Sequence, residues 1–141
     1  MYRTILLAVD INDLAFSDHL AEAAIGLAHA DGAEIHVLNV IPGSGMAMVG
    51  AYLGADQEKR IRAEAKARLA DWAERVLPEE LFAGLHIAQG TIYHEIIALA
   101  DKLGVAAIIV GAHRPELKDY LVGPNAARVV RHAKQSVLVV R

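Results

Sequence analysis

Short uninterrupted apolar runs punctuate this chain, separated by longer segments in which apolar residues return every three or four positions. Ile5-Leu6-Leu7-Ala8-Val9, Ala106-Ala107-Ile108-Ile109-Val110 and Val137-Leu138-Val139-Val140 are the clearest runs. A strand without polar alternation is buried on both faces, as in a parallel sheet covered by helices. Parallel neighbours need long crossovers, and the intervening helical segments supply them. The pattern predicts an α/β fold: one doubly wound five-stranded parallel sheet flanked by helices.

Taken in order, residues 5–9 form the first strand, and Asp10 ends it. Asn12 or Asp13 serves as N-cap for a helix with Leu20, Ala24 and Leu27 on one face, closed near Asp31-Gly32. Residues 34–41 form the second strand, and Pro42 stops it. Residues 43–55 contain Gly43, Gly45, Gly50 and Gly54, two Met and no charge, and read as a loop. That loop is either a lid over a neighbouring site or a loosely ordered connection.

Residues 56–77 read as the longest helix, with Ile61, Ala65, Leu69, Trp72 and Val76 in one stripe. Trp72 reads as a core anchor. Glu58, Lys59, Arg62, Glu64, Lys66 and Arg68 form a solvated face. Residues 82–89 form a weaker strand. Thr91 is placed to cap a helix carrying Ile92, Ile96, Leu99, Ala100 and Leu103, which Gly104 ends. Residues 106–111 form the fourth strand, residues 125–133 a short helix with Val129 and Val130 inward, and residues 136–140 the last strand.

The length of 141 residues suits one domain spanning 1–141. A net charge of −3 offers no basic field for nucleic acid. The absence of Cys removes thiol catalysis and disulfides. No apolar run approaches a membrane span, and Met1-Tyr2-Arg3-Thr4 leads straight into a strand without a signal peptide. The expected location is the cytoplasm, without membrane insertion.

The stretch from Gly111 to Asn125 concentrates the chemistry. A strand, a loop opened by Gly111 and closed by Gly123, and a helix start together suit an anion, because unpaired N–H groups and the helix dipole favour negative charge there. Arg114 can fork onto a phosphate, and His113 and Lys118 add charge nearby. The plain alternative is an ordinary strand-to-helix connection. Neither a Gly-Lys-Ser/Thr loop nor a Gly-x-Gly-x-x-Gly fingerprint is present. Ligands of doubly wound sheets bind beyond the strands' carboxyl ends where strand order reverses. If the first and fourth strands flank that point, Asp10 and Gly111 both lie at its mouth. None of the seven His residues shows zinc-helix spacing, so no metal site is expected. Ser17-Asp18-His19 is contiguous on a helix and cannot converge as a triad.

The opening Ile5-Leu6-Leu7-Ala8-Val9-Asp10 resembles the first strand of universal stress proteins. The segments Gly111-Ala112-His113-Arg114-Pro115, Tyr120-Leu121-Val122-Gly123-Pro124-Asn125-Ala126-Ala127 and Ser136-Val137-Leu138-Val139-Val140-Arg141 resemble that family's nucleotide-binding branch. The resemblance implies a Rossmann-like, adenine nucleotide alpha hydrolase-like fold and an ATP-binding regulatory module in the stress response. It implies that Asp10, Ile11, Asn12 and Val40 border the base and ribose. Val110, Gly111, His113, Arg114, Gly123, Pro124, Asn125 and Ala126 would surround the remainder of the nucleotide. ATP, with or without Mg²⁺, is the implied ligand. A homodimer through Val137, Leu138, Val139, Val140 and Arg141 is implied as well, with a regulatory protein partner left unnamed.

Arg114 stands where many members carry a second Gly, and Pro124 stands where Ser or Thr usually follows the last Gly. Pro removes both a backbone N–H and a hydroxyl, up to two phosphate donors, although it fits a first helical position. No general base accompanies Asp10, so at most slow ATP hydrolysis is expected. A nucleotide-independent dimeric signalling or scaffold protein is the alternative.

Overall fold

The computed structural model describes residues 1–43, 46–112 and 123–141. The elements run β1 (Thr4–Val9), α1 (Leu14–Asp31), β2 (Glu34–Pro42), α2 (Met46–Val76), a 3₁₀ turn (Glu79–Leu81), β3 (Phe82–Gly90), α3 (Ile92–Leu103), β4 (Ala107–Gly111), α4 (Pro124–His132) and β5 (Ser136–Val140). The five strands form one sheet in the order β3-β2-β1-β4-β5, and every neighbouring pair is parallel. This is the doubly wound sheet that the apolar runs predict.

Two apolar layers sandwich the sheet. Ile5, Leu7, Ile35, Val37 and Ile109 pack against Leu20, Ala21, Ala24 and Ala28 of α1 and Ala65, Leu69, Trp72 and Ala73 of α2. Leu6, Leu38, Ile108 and Val110 pack on the other face against Ile96 and Ala100 of α3 and Ala126 and Val129 of α4. Consecutive strand residues point to opposite faces, so Ile5-Leu6-Leu7 must supply both layers. Trp72 is fully buried, and its Nε1–H donates to Asp18 Oδ1 at 2.7 Å, which satisfies the polar end of the largest side chain in the core.

Helix α1 begins where Asp13 Oδ1 accepts the Phe16 N–H at 3.3 Å, which resolves the Asn12-or-Asp13 alternative in favour of Asp13. It ends at Gly32, as expected. Ser17 is buried within the helix, and its hydroxyl donates to the carbonyls of Asp10 and Asp13 at 3.2 and 3.0 Å.

Three local expectations need correction. Much of residues 43–55, read as a loop from its glycines, is helical: α2 begins at Met46. Its regularity breaks at Gly54, whose φ of 78° and ψ of 166° are not helical. A glycine takes that left-handed conformation without a Cβ clash, so the chain bends there between two helical stretches. Ser44 and Gly45 lie outside the described residues. Val130 was expected inward with Val129, yet Val130 is 52% exposed while Val129 is fully buried. Adjacent residues on a helix lie about 100° apart, so a narrow contact with the sheet admits one of them. Thr91 holds the N-cap position of α3, but its side chain makes no capping hydrogen bond.

Candidate functional site

Strand β1 pairs with β2 as far as Val9↔Asn39 and with β4 as far as Leu7↔Ile109. Beyond those pairs the chain turns to opposite faces of the sheet: β1 feeds α1 in one layer, and β4 leads towards α4 in the other. The divergence is the topological switch point of a doubly wound sheet. A cavity of about 600 Å³ opens there. That volume is in the range of small-molecule sites, roughly 300–1,000 Å³.

The cavity is lined in five sectors, one of them Ile92 and Ile96 of α3. Asp10, Ile11, Asn12 and Asp13 come from the β1–α1 connection, with Phe16 and Ser17 from the first turns of α1. Asn39, Val40, Ile41 and Pro42 come from the end of β2. Val110 and Gly111 end β4, and Asn125 and Ala126 belong to the first turn of α4. Ile61, Glu64, Ala65 and Arg68 face in from α2.

Eight residues singled out from the sequence therefore share one wall system: Asp10, Ile11, Asn12, Val40, Val110, Gly111, Asn125 and Ala126. Gly123 is buried as the N-cap of α4, and Pro124 is exposed at the helix start; both adjoin the cavity's lining without belonging to it. Pro124 stands in the first turn, where its missing N–H costs no intrahelical bond. His113, Arg114 and Lys118 lie outside the described residues. Val137, Leu138, Val139 and Val140 form β5, an edge strand, followed by Arg141; Leu138 is 42% exposed.

Hydrogen bonds hold the β1–α1 rim in one shape. Asp10 Oδ1 accepts the Asn12 N–H at 2.8 Å, and the Asp10 carbonyl accepts the Asp13 N–H at 3.0 Å. Asn39, only 3% exposed, accepts the Ile11 N–H on its Oδ1 at 3.1 Å. Arg68 Nη2 donates to the Ile11 carbonyl at 2.8 Å. The helix-α2 charges read as a solvated face thus have a second use: Glu64 and Arg68 are exposed but also line the cavity. Asn39, Glu64 and Arg68 were not singled out for the site. A polar Asn inside an otherwise apolar strand was the signal available for the first; nothing local marked the other two. The rim's charges among the described residues are Asp10, Asp13 and Glu64 against Arg68. Among the described residues, no group of three or more His, Asp or Glu is arranged to hold a metal ion, and no helix is long and apolar enough to cross a membrane.

The universal stress protein family model matches residues 1–141. The chain belongs to the universal stress protein family. Universal stress protein G of Escherichia coli O157:H7 is 33% identical over 143 residues, covering 100% of both chains. The structure of universal stress protein UspA from Lactobacillus plantarum is similar with a TM-score of 0.75 at 23% identity, covering 99% of this chain and 98% of that one. A universal stress protein solved in complex with cAMP matches with a TM-score of 0.61 at 20% identity, covering 99% of this chain and 97% of the other. The likeness to these structures is one of fold.

Proposed function

We propose that this universal stress protein is a regulatory module that binds ATP or a related adenine nucleotide in the switch-point cavity. The observation that carries the reading is the convergence of Asp10, Val40, Gly111 and the first turn of α4 on one cavity where β1 and β4 diverge. Val40, Ile11 and Val110 offer apolar surface to a base, and Asp10 and Asn12 offer polar groups to a ribose. The N–H groups of Asn125 and Ala126 lie in the first turn of α4, where a helix leaves donors unpaired and favours an anion. His113 and Arg114 complete the phosphate end in this proposal. The family member solved with cAMP supports an adenine nucleotide as the ligand class.

Asp10 and Asp13 each commit an Oδ1 to a backbone N–H. In this reading Mg²⁺ enters on the phosphates, with few direct protein ligands, as is usual for that ion. In this reading the module works by occupancy, and hydrolysis is slow at most.

The proposal includes a cytoplasmic homodimer built on β5, formed by Val137, Leu138, Val139, Val140 and Arg141. A parallel sheet's edge strand offers unpaired backbone groups, and Leu138 adds exposed apolar surface. Nucleotide occupancy would alter how the dimer meets a regulatory protein. The observation favouring the nucleotide-independent alternative is Pro124 at the start of α4, which withholds donors from a phosphate.

Calorimetric titration of ATP, ADP, AMP and cAMP, each with and without Mg²⁺, tests the reading. Saturable binding of at least one of them, abolished by Gly123→Val in folded protein, is expected. Absence of heat for all four at high micromolar protein overturns the nucleotide reading and leaves the dimeric scaffold.

A further inference from the structure

The backbone of Ile11 is held from both sides by residues of two other elements. Its N–H is taken by Asn39 Oδ1 at the end of β2, and its carbonyl by Arg68 Nη2 on α2. Both side chains line the cavity, and so does Ile11 itself. Asn39 is 3% exposed, so its polarity serves no solvent. A buried amide that costs free energy to desolvate persists where its hydrogen bond is needed. Asn39 sits opposite Val9 in the register, one residue before β1 becomes the cavity rim.

We infer that Asn39 and Arg68 are positioning residues that clamp the backbone of Ile11 and so set the ligand-binding geometry of the β1–α1 rim. The inference rests on the adenine-nucleotide reading of this cavity. With the N–H and the carbonyl of Ile11 both engaged, Ile11 meets a ligand through its side chain alone. Asp10 on one side and Asn12 on the other are then fixed relative to Val40, which follows Asn39 directly. One clamp therefore ties the spacing between two opposite walls to the strand that carries the third. Arg68 extends the tie to α2, so that helix closes the cavity as a wall in register with the rim. Its guanidinium forms a charge-assisted bond that a neutral side chain would not match.

The test is a double-mutant cycle in ATP affinity. Asn39→Leu keeps the side chain's shape and removes the acceptor; Arg68→Met keeps the apolar stem and removes the donor. Each should weaken binding roughly tenfold, because small misplacements of positioning groups are costly. Together they should weaken it by much less than the product, since both act through the backbone of one residue. Asn39→Asp retains the acceptor and should restore protection of the Ile11 amide from hydrogen exchange, which Asn39→Leu abolishes. Wild-type binding with single variants unaffected, or with fully multiplicative losses, overturns the clamp and leaves the nucleotide reading intact. No binding by the wild-type protein overturns that reading, and the clamp's role in it falls too. If Asn39→Leu does not fold, Arg68→Met decides the matter alone: ATP binding weakened roughly tenfold supports the clamp, and wild-type affinity overturns it.

Discussion

Gly111 lies directly against Phe16: a β-carbon built on Gly111 would stand 2.5 Å from Phe16 Cε1 and 3.3 Å from Leu20 Cδ2. The end of β4 therefore packs on the first turns of α1 with no room for a side chain, and both elements border the same cavity. Gly111→Ala should push the Phe16 ring into that space. Overpacking of this kind costs about 1–3 kcal/mol. Urea denaturation should show the loss of stability, and adenine-nucleotide affinity should fall with it. Unchanged stability would mean that Phe16 has a second rotamer ready.

His36 Nδ1 and His86 Nε2 lie 3.0 Å apart across β2 and β3, with Gly84 opposite His36 in the register. One ring donates to the other, which requires an unprotonated nitrogen on the accepting ring. Partial burial lowers the His86 pKa below its usual 6.5, with the neighbouring His36 and Lys102 adding to the effect. A depressed histidine pKa means the unfolded chain binds the proton more readily. Stability should be full above pH 6.5 and should decline as pH falls from there through the folded-state pKa. Chemical denaturation at pH 7.5 and 5.5 should show this decline, and His86→Gln should reduce it. An identical pH slope in the variant contradicts the assignment.

The one Trp of the chain reports on its own hydrogen bond. Asp18→Leu strands the buried Nε1–H of Trp72, at a cost of about 1–3 kcal/mol. Asp18→Asn retains an acceptor and should cost much less. Fluorescence-monitored unfolding separates the two; equal losses would show that charge, rather than the bond, matters at residue 18.

Pro124→Ser replaces the first helical residue of α4 with one carrying an N–H and a hydroxyl. Phosphate-bearing ligands should gain roughly tenfold in affinity if one charged hydrogen bond forms. Adenosine should gain nothing. Parallel titrations of ATP and adenosine against both proteins make the comparison, and equal gains for the two ligands would mean the serine acts away from the phosphates.

Much of the fold was legible because strands and helices here differ in period. The runs at Ile5 to Val9 and around Ile108 have no polar break, and the Ala65-Leu69-Trp72 stripe returns at helical spacing. Asp13 and Gly32 mark the two ends of α1 by local chemistry. The start of α2 was not legible, because glycines that signal a loop on average here permit a bend inside a helix at Gly54. The rim residues Asp10 and Gly111 could be found because topology places strand ends together. Arg68, 57 positions from Ile11, and the His36–His86 pair, 50 apart, become neighbours only through packing and register. No local pattern carries that information.

The most direct test of the central claim is a backbone amide titration by NMR, adding ATP with Mg²⁺ to isotope-labelled protein. The account predicts saturable shifts concentrated at Asp10, Asn12, Val40, Gly111, Asn125 and Ala126. Shifts confined to the opposite end of the sheet, around Met1, Asp101 and Gln135 where a second, smaller cavity lies, or no shifts at all, would contradict it.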